Sequence, residues 1–266
     1  MNSLAVMQQQ YYSGRPFSLT SVRIEYEGLI ESVLGVIYSL EALTKKQSGV
    51  LEHIVDEIDK RISSDFMPKK PIYHTSDIVL PLDTITEDLK PMVGSKAANL
   101  ALIRNHLKLP VPDGFAVTAY AFDRFIGGNK LIAPIARELS KIKSDSINDI
   151  EQAGSVIQAM ILIADVPEEI KSPLLNAYHE LEARSHKGVM IAMRSSAIGE
   201  DTEATFAGQY ATVLNVSDNN IFDAYKTVLA SKYSARAISY RMRYGLSDRE
   251  TPMCVAGICM VRWKQP

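Results

Sequence analysis

The stretch Met190-Ile-Ala-Met-Arg-Ser-Ser-Ala-Ile-Gly-Glu-Asp-Thr-Glu-Ala-Thr-Phe-Ala-Gly-Gln-Tyr210 decides how the rest of the chain is read. Residues 189–193 form a short apolar run, the pattern of a buried strand. The run delivers Arg194, then the small hydroxyls of Ser195 and Ser196, then an acidic pair, Glu200 and Asp201. Phe206, Ala207, Gly208 and Gln209 follow, and a second apolar run covers residues 211–216. A core strand that carries an arginine into a loop of hydroxyls and glycine has the ingredients of a phosphate site. Arginine offers a fork of donors that matches phosphate oxygens. Serine hydroxyls and loop N–H groups add neutral donors. On spacing alone the plainer reading is a β-hairpin with a polar turn, and both readings stand at this point.

Upstream, Gly94-Ser95-Lys96 opens a helix whose apolar stripe is Ala97, Leu100, Ala101, Ile103 and Leu107. Ser95 suits the N-cap region, and Gly94 lets the backbone approach a ligand. Free N–H groups and a partial positive charge at a helix start suit phosphate, and Lys96 adds a full charge there. An ordinary helix start with an exposed lysine fits as well. The spacing of a P-loop is absent.

Between these two stretches the pattern predicts a strand over 115–118 and a helix packed through Tyr120, Phe122, Phe125 and Ile126, ended by Gly127 and Gly128. Further helices are expected over 130–143 and 147–164. Another starts at Asp165-Val-Pro-Glu-Glu169, with Pro167 in its first turn and Pro173 interrupting or restarting it, and runs to Arg184. Downstream, 221–244 reads as one long helix. Its later cations, Lys232, Arg236, Arg241 and Arg243, read as a solvated face. Residues 253–263 read as a last apolar strand.

The N-terminal region has a different texture. Val22, Tyr26, Leu29, Ile30, Val33, Ile37, Leu40 and Leu43 recur at helical spacing, and Val50 to Ile62 repeats the pattern after a polar break. Two amphipathic helices with a short connection predict an antiparallel hairpin over 18–62, a docking element without chemistry. The proline-rich segment 67–81 breaks the period and marks a linker. The expected organisation is therefore a helical hairpin over 1–66, a linker over 67–81 and an α+β domain over 82–266.

The 266 residues, 46% hydrophobic and 23% charged, suit one large or two ordinary globular domains. A net charge of −2 gives no reason to expect a nucleic-acid partner. Both cysteines, Cys254 and Cys259, lie in one apolar run with no second metal-ligand pair, so they read as buried small hydrophobes in a reducing compartment. No apolar stretch spans a bilayer and the first residues do not form a signal peptide, so a cytoplasmic protein is expected.

Arg194-Ser-Ser-Ala-Ile-Gly-Glu-Asp201 with Phe206-Ala-Gly-Gln209 resembles the ATP-binding region of the phosphoenolpyruvate synthases and pyruvate phosphate dikinases. Val93-Gly-Ser-Lys-Ala-Ala-Asn-Leu100 and Ala230-Ser-Lys-Tyr-Ser-Ala-Arg-Ala-Ile-Ser-Tyr240 stand in the same order as in that family, over roughly residues 80–262. The family's second glycine is Ser95 in this chain. The resemblance implies the first part of an ATP-grasp-like domain that binds ATP between two α+β subdomains. It implies that Lys96 and Arg194 contact phosphates, with Gly94, Ser95 and Ser195 around them. It further implies that residues 206–209 close over the phosphates and that the backbone at Cys259, Met260 and Val261 meets the base.

In the family, ATP is split to AMP, a histidine is phosphorylated, and pyruvate is the final acceptor. The family's magnesium carboxylates, phosphohistidine domain and pyruvate-binding barrel lie beyond residue 266, so this chain alone is not expected to turn over, and no metal ligand is assigned within it. Glu200 and Asp201 are expected to order the loop. Two alternatives are a nucleotide-binding or regulatory module without turnover, and the ATP-binding part of a rifampicin phosphotransferase-like enzyme.

Overall fold

The computed structural model describes residues 4, 5, 8, 12, 19–44, 49–65, 75–142, 146–196, 210–243, 246–249 and 251–261. The chain divides into two compact units, Met1–Pro71 with Tyr240–Glu250, and Ile72–Ser239 with Thr251–Pro266.

In the first unit, α1 (Leu19–Thr44) and α2 (Gly49–Asp65) form a hairpin. The Tyr26 hydroxyl donates to Asp59 Oδ1 at 3.1 Å, which fixes the antiparallel register. Tyr26 and Ile37 are buried, as their place in the apolar period requires.

The second unit is built on a five-stranded sheet. Its strands are β1 (Val79–Pro81), β2 (Gly114–Val117), β3 (Ile191–Ser195), β4 (Thr212–Val216) and β5 (Val255–Cys259). The order is β1-β2-β5-β3-β4, and every neighbouring pair is antiparallel. The last strand in sequence is thus the central one. Its first four residues are all buried, which is why it reads as an unbroken apolar run rather than an alternating one.

The register assigns each side chain to a face. Ile191, Met193, Ser195, Val255, Gly257 and Cys259 share one face; Ala116, Ala192, Arg194, Ala256 and Ile258 share the other. Helix α3 (Lys90–Asn105) lies on the second face, where Val93, Ala97, Ala98 and Ala101 pack against Ala116, Ala256 and Ile258. Small side chains on both sides let the helix approach closely. The remaining helices are α4 (Ala119–Gly128), α5 (Ile132–Ser140), α6 (Ile147–Ile163), α7 (Glu168–Arg184), α8 (Ile221–Ser231) and α9 (Ala235–Arg243). Helix α7 packs on β1 and β2, and α8 on β3, β4 and β5.

Four sequence expectations are corrected. The long helix over 221–244 is two helices. The break falls at 232–234, where Lys232, Tyr233 and Ser234 N–H groups bond three residues back, and the Ser234 hydroxyl accepts from Ala237 N at 3.2 Å. The break turns part of the supposed solvated face inward, so Lys232 and Arg241 are buried. Lys232 Nζ lies 5.2 Å from the Phe122 ring centroid and 4.8 Å from that of Tyr233, a cation over two π faces. Pro173 sits inside an unbroken α7, and Pro167 stands at its N-cap rather than in its first turn.

Among the described residues, no helix is long and apolar enough to cross a membrane.

Candidate functional site

Helix α3 starts twice. Gly94, at φ 75° and ψ 166°, is non-helical within it, so the turn that follows has its own N-terminus at Ser95 and Lys96. A second chain segment meets that start. Ser196 Oγ accepts a hydrogen bond from Ala97 N–H at 3.0 Å, across 99 residues of sequence. Ala97 occupies the third position of the restarted helix, the amide that an N-cap side chain ordinarily satisfies. The cap is therefore Ser196, and Ser95, expected from sequence to serve the cap region, is instead a buried residue of the first turn. A Cβ on Gly94 would lie 1.5 Å from the Ser196 carbonyl oxygen, so only glycine fits both the space and the positive φ.

The same end of the sheet is tied twice more. Ser196 N–H donates to Cys254 O at 2.9 Å, and the Cys254 thiol donates to Met92 O at 3.3 Å. The Gly94-Ser95-Lys96 start and the Arg194-Ser195-Ser196 strand end are thus brought together. Sequence reasoning named Ser195 for the site and missed Ser196. The only signal was a second hydroxyl at the strand end, with nothing in the sequence to say which of the two faces α3.

Arg194 is exposed, in register between Thr212 of β4 and Ala256 of β5, on the face that carries α3. Ser195 is buried on the opposite face. Along α3, Asn105 Nδ2 donates to the carbonyls of Leu82, Asp83 and Ile85, and Ala98 and Leu102 line a small cleft with Ile85. One flank of α3 therefore points towards β1. With about 100° per residue, Lys96, Leu100 and Ile103 emerge on the opposite flank, the side of β3. Lys96 is half-buried there. Beside that flank the sheet face is open: Met190, Arg194, Thr212 and Leu214 are all exposed. The result is a strip with two cations at one end and aliphatic side chains towards the other.

Cys259, Met260 and Val261 lie at that other end. Four residue steps separate the Ser195–Val255 pair from the Ile191–Cys259 pair, roughly 13 Å at the rise of a strand. An extended nucleoside triphosphate covers such a span. Cys259 N–H donates to Asp113 O at 2.8 Å, and Met260 N–H to Met190 O at 2.9 Å. Both amides are occupied by the sheet, and the Cys259 side chain points to the far face, 3.6 Å from Ser185 Oγ. Burial pushes its thiol up from the ordinary value. Asp113 is held in turn by Arg104 at 2.8 Å and by Arg184 at 3.6 Å, and its carboxylate accepts from Gly114 N–H at 2.9 Å.

Phe206, Ala207, Gly208 and Gln209, with Glu200 and Asp201, lie outside the described residues. Among the described residues no group of three His, Cys, Asp or Glu side chains is placed to hold a metal ion.

Comparison with known proteins adds a family to this geometry. The family of the pyruvate phosphate dikinase AMP/ATP-binding domain matches residues 90–265. The phosphoenolpyruvate synthase of Aquifex aeolicus is 35% identical over 191 residues, 70% of this chain and 22% of that protein. That of Escherichia coli K12 is 35% identical over 175 residues, 64% of this chain and 22% of its own length. A probable phosphoenolpyruvate synthase of Staphylothermus marinus is 36% identical over 180 residues, covering 65% and 21% respectively. The chain thus spans about a fifth of the length of the curated relatives it matches.

Proposed function

The chain belongs to the pyruvate phosphate dikinase AMP/ATP-binding domain family, and from that premise we propose that its second unit is the ATP-binding part of a phosphoenolpyruvate synthase-like phosphotransferase. The reading takes the unit as the first portion of an ATP-grasp-like clamp. The observation that carries it is the hydrogen bond from Ala97 N–H to Ser196 Oγ, which joins the lysine-bearing helix start to the arginine-bearing strand end.

In this reading the triphosphate lies at the α3 start. Lys96 and Arg194 neutralise its charge, and the N–H groups of the restarted helix at Ser95 and Lys96 donate to its oxygens. Phosphoryl transfer needs charge neutralisation and alignment more than covalent help, so two cations and a helix terminus are the appropriate groups. The base extends along the strip towards Met260 and Val261. Because the Cys259 and Met260 amides are used in the sheet, recognition of the base there falls to carbonyl oxygens and to Val261. Magnesium neutralises phosphate charge in such transfers. The phosphoryl group passes to a histidine and then to pyruvate on domains outside residues 1–266.

Titration of ATP into the full chain tests this directly. Arg194→Ala is expected to weaken binding by about 1.5–3 kcal/mol, the scale of a charge-assisted hydrogen bond. Lys96→Met is expected to lose a similar amount with its melting temperature unchanged. Wild-type affinity in both variants would remove the two cations from the site.

A further inference from the structure

Helix α3 is interrupted at Gly94, and backbone groups on both sides of the interruption are bonded to the sheet. In an unbroken helix the Met92 carbonyl and the Ala97 amide are used within the helical ladder. Here the non-helical backbone of Gly94 stands between them. Beyond the glycine, Ala97 N–H donates to Ser196 Oγ at 3.0 Å. Before it, Met92 O accepts from the Cys254 thiol at 3.3 Å. Ser196 N–H in turn donates to Cys254 O at 2.9 Å, so three hydrogen bonds close a ring through the kink.

Met92, Ser196 and Cys254 are all buried. Cys254 stands one step before β5, and alternation along the strand puts its side chain on the face of Ala256 and Ile258, the face that carries α3. An apolar side chain there would fill space but bring no donor to Met92 O, and an unmatched buried carbonyl is costly. Ser196 holds only the part of α3 that follows Gly94. Glycine is the point where the backbone turns most freely, so the part before it needs an anchor of its own. The Cys254 thiol is that anchor, and Lys96 lies on the segment between the two.

We propose that Cys254 is a positioning residue for nucleotide phosphate: by holding Met92 O it fixes the turn at Gly94, and so the direction in which Lys96 leaves α3. The proposal rests on the reading of Lys96 as a phosphate contact. Cys254 itself touches no ligand; it acts through the helix start. Arg194 is set independently, by the pairing of β3 with β4 and β5, in which the thiol takes no part. Loss of the thiol therefore disengages Lys96 from the phosphates and leaves Arg194 in place.

Titration of ATP into the full chain and its variants tests this by double-mutant cycles. Cys254→Ala is expected to weaken ATP binding ~10-fold, and Cys254→Ser, which returns a donor, to stay within about 3-fold of wild type. In a Lys96→Met background Cys254→Ala is expected to cost less than about 2-fold, because the side chain it aims is gone. In an Arg194→Ala background it is expected to keep its full ~10-fold effect. A role in folding alone would lower affinity alike in every background and would not distinguish the two cations. Should Cys254→Ala not fold, Cys254→Val, which refills the space without a donor, is expected to show the same pattern. Equal losses in the two backgrounds overturn the proposal, as does wild-type affinity in the donor-less variant; Lys96→Met would still weaken binding in either case. If Lys96→Met itself binds ATP as tightly as wild type, the reading of Lys96 falls first, and this proposal falls with it.

Discussion

Tyr225 shows what a single side chain can cost. Its ring is fully buried in α8, edge-on to Phe125 at 6.0 Å and 89°. Its hydroxyl has no hydrogen-bond partner among the described residues. The aromatic contact stabilises the core, while the unmatched hydroxyl opposes it through lost hydration. Tyr225→Phe keeps the first and removes the second. It is expected to raise the free energy of unfolding by about 1 kcal/mol, read as a higher urea midpoint at an unchanged slope. A lower midpoint would mean that the hydroxyl is bonded in solution. Gly94 is the contrary case, a residue whose value lies in what it lacks: its positive φ and its approach to the Ser196 carbonyl leave no room for any side chain.

At the scale of the element, α3 depends on a group it does not itself carry. The Ser196 hydroxyl caps its restarted turn, and capping losses cost about 0.5–2 kcal/mol. Ser196→Ala is expected to destabilise the chain within that range and to speed hydrogen exchange at the Ala97 amide. Because the cap also holds the phosphate-facing turn, ATP affinity should fall with it. Unchanged exchange at Ala97 would show that the turn does not rely on Ser196. The helix itself was legible in sequence, because the period of Ala97, Leu100 and Ala101 is local. So were the β3–β4 pair and the hairpin of α1 and α2. Its cap was not legible, because donor and acceptor stand 99 residues apart. The break between α8 and α9 was hidden for a different reason: the apolar period runs on through 232–234, and the Ser234 cap overrides it. The orientation of Cys259 away from α3 follows from the pleat and the register with Ile191, neither of which is written in one strand.

At the scale of the molecule, burial makes the second unit sensitive to alkali. The Tyr178 phenol, which donates to Val189 O at 2.7 Å, is pushed up by burial from its ordinary 10.0, as is that of Tyr225. Burial likewise pushes the Cys259 thiol up from 9.0. In each case the folded chain holds the proton more tightly than the unfolded chain does. The stabilisation is therefore complete below the ordinary values. It drains away once the unfolded chain begins to ionise, and it is gone only when the folded groups also ionise. Each unit of such a difference is worth about 1.4 kcal/mol, so a few buried groups suffice to matter for a marginally stable domain. The melting temperature is expected to hold steady from neutral pH towards 9.0, to bend downward as the thiol value is passed, and to fall more steeply above 10.0. Tyr225→Phe removes one of the three groups and should flatten the alkaline limb as well as raise the plateau. Phenolate absorbance supplies the independent reading, because the buried tyrosines should ionise only as the fold is lost. If the phenolate signal of the folded chain fell by one ring in Tyr178→Phe and by one in Tyr225→Phe, these rings would be reached by solvent, and the burial argument would fail with them.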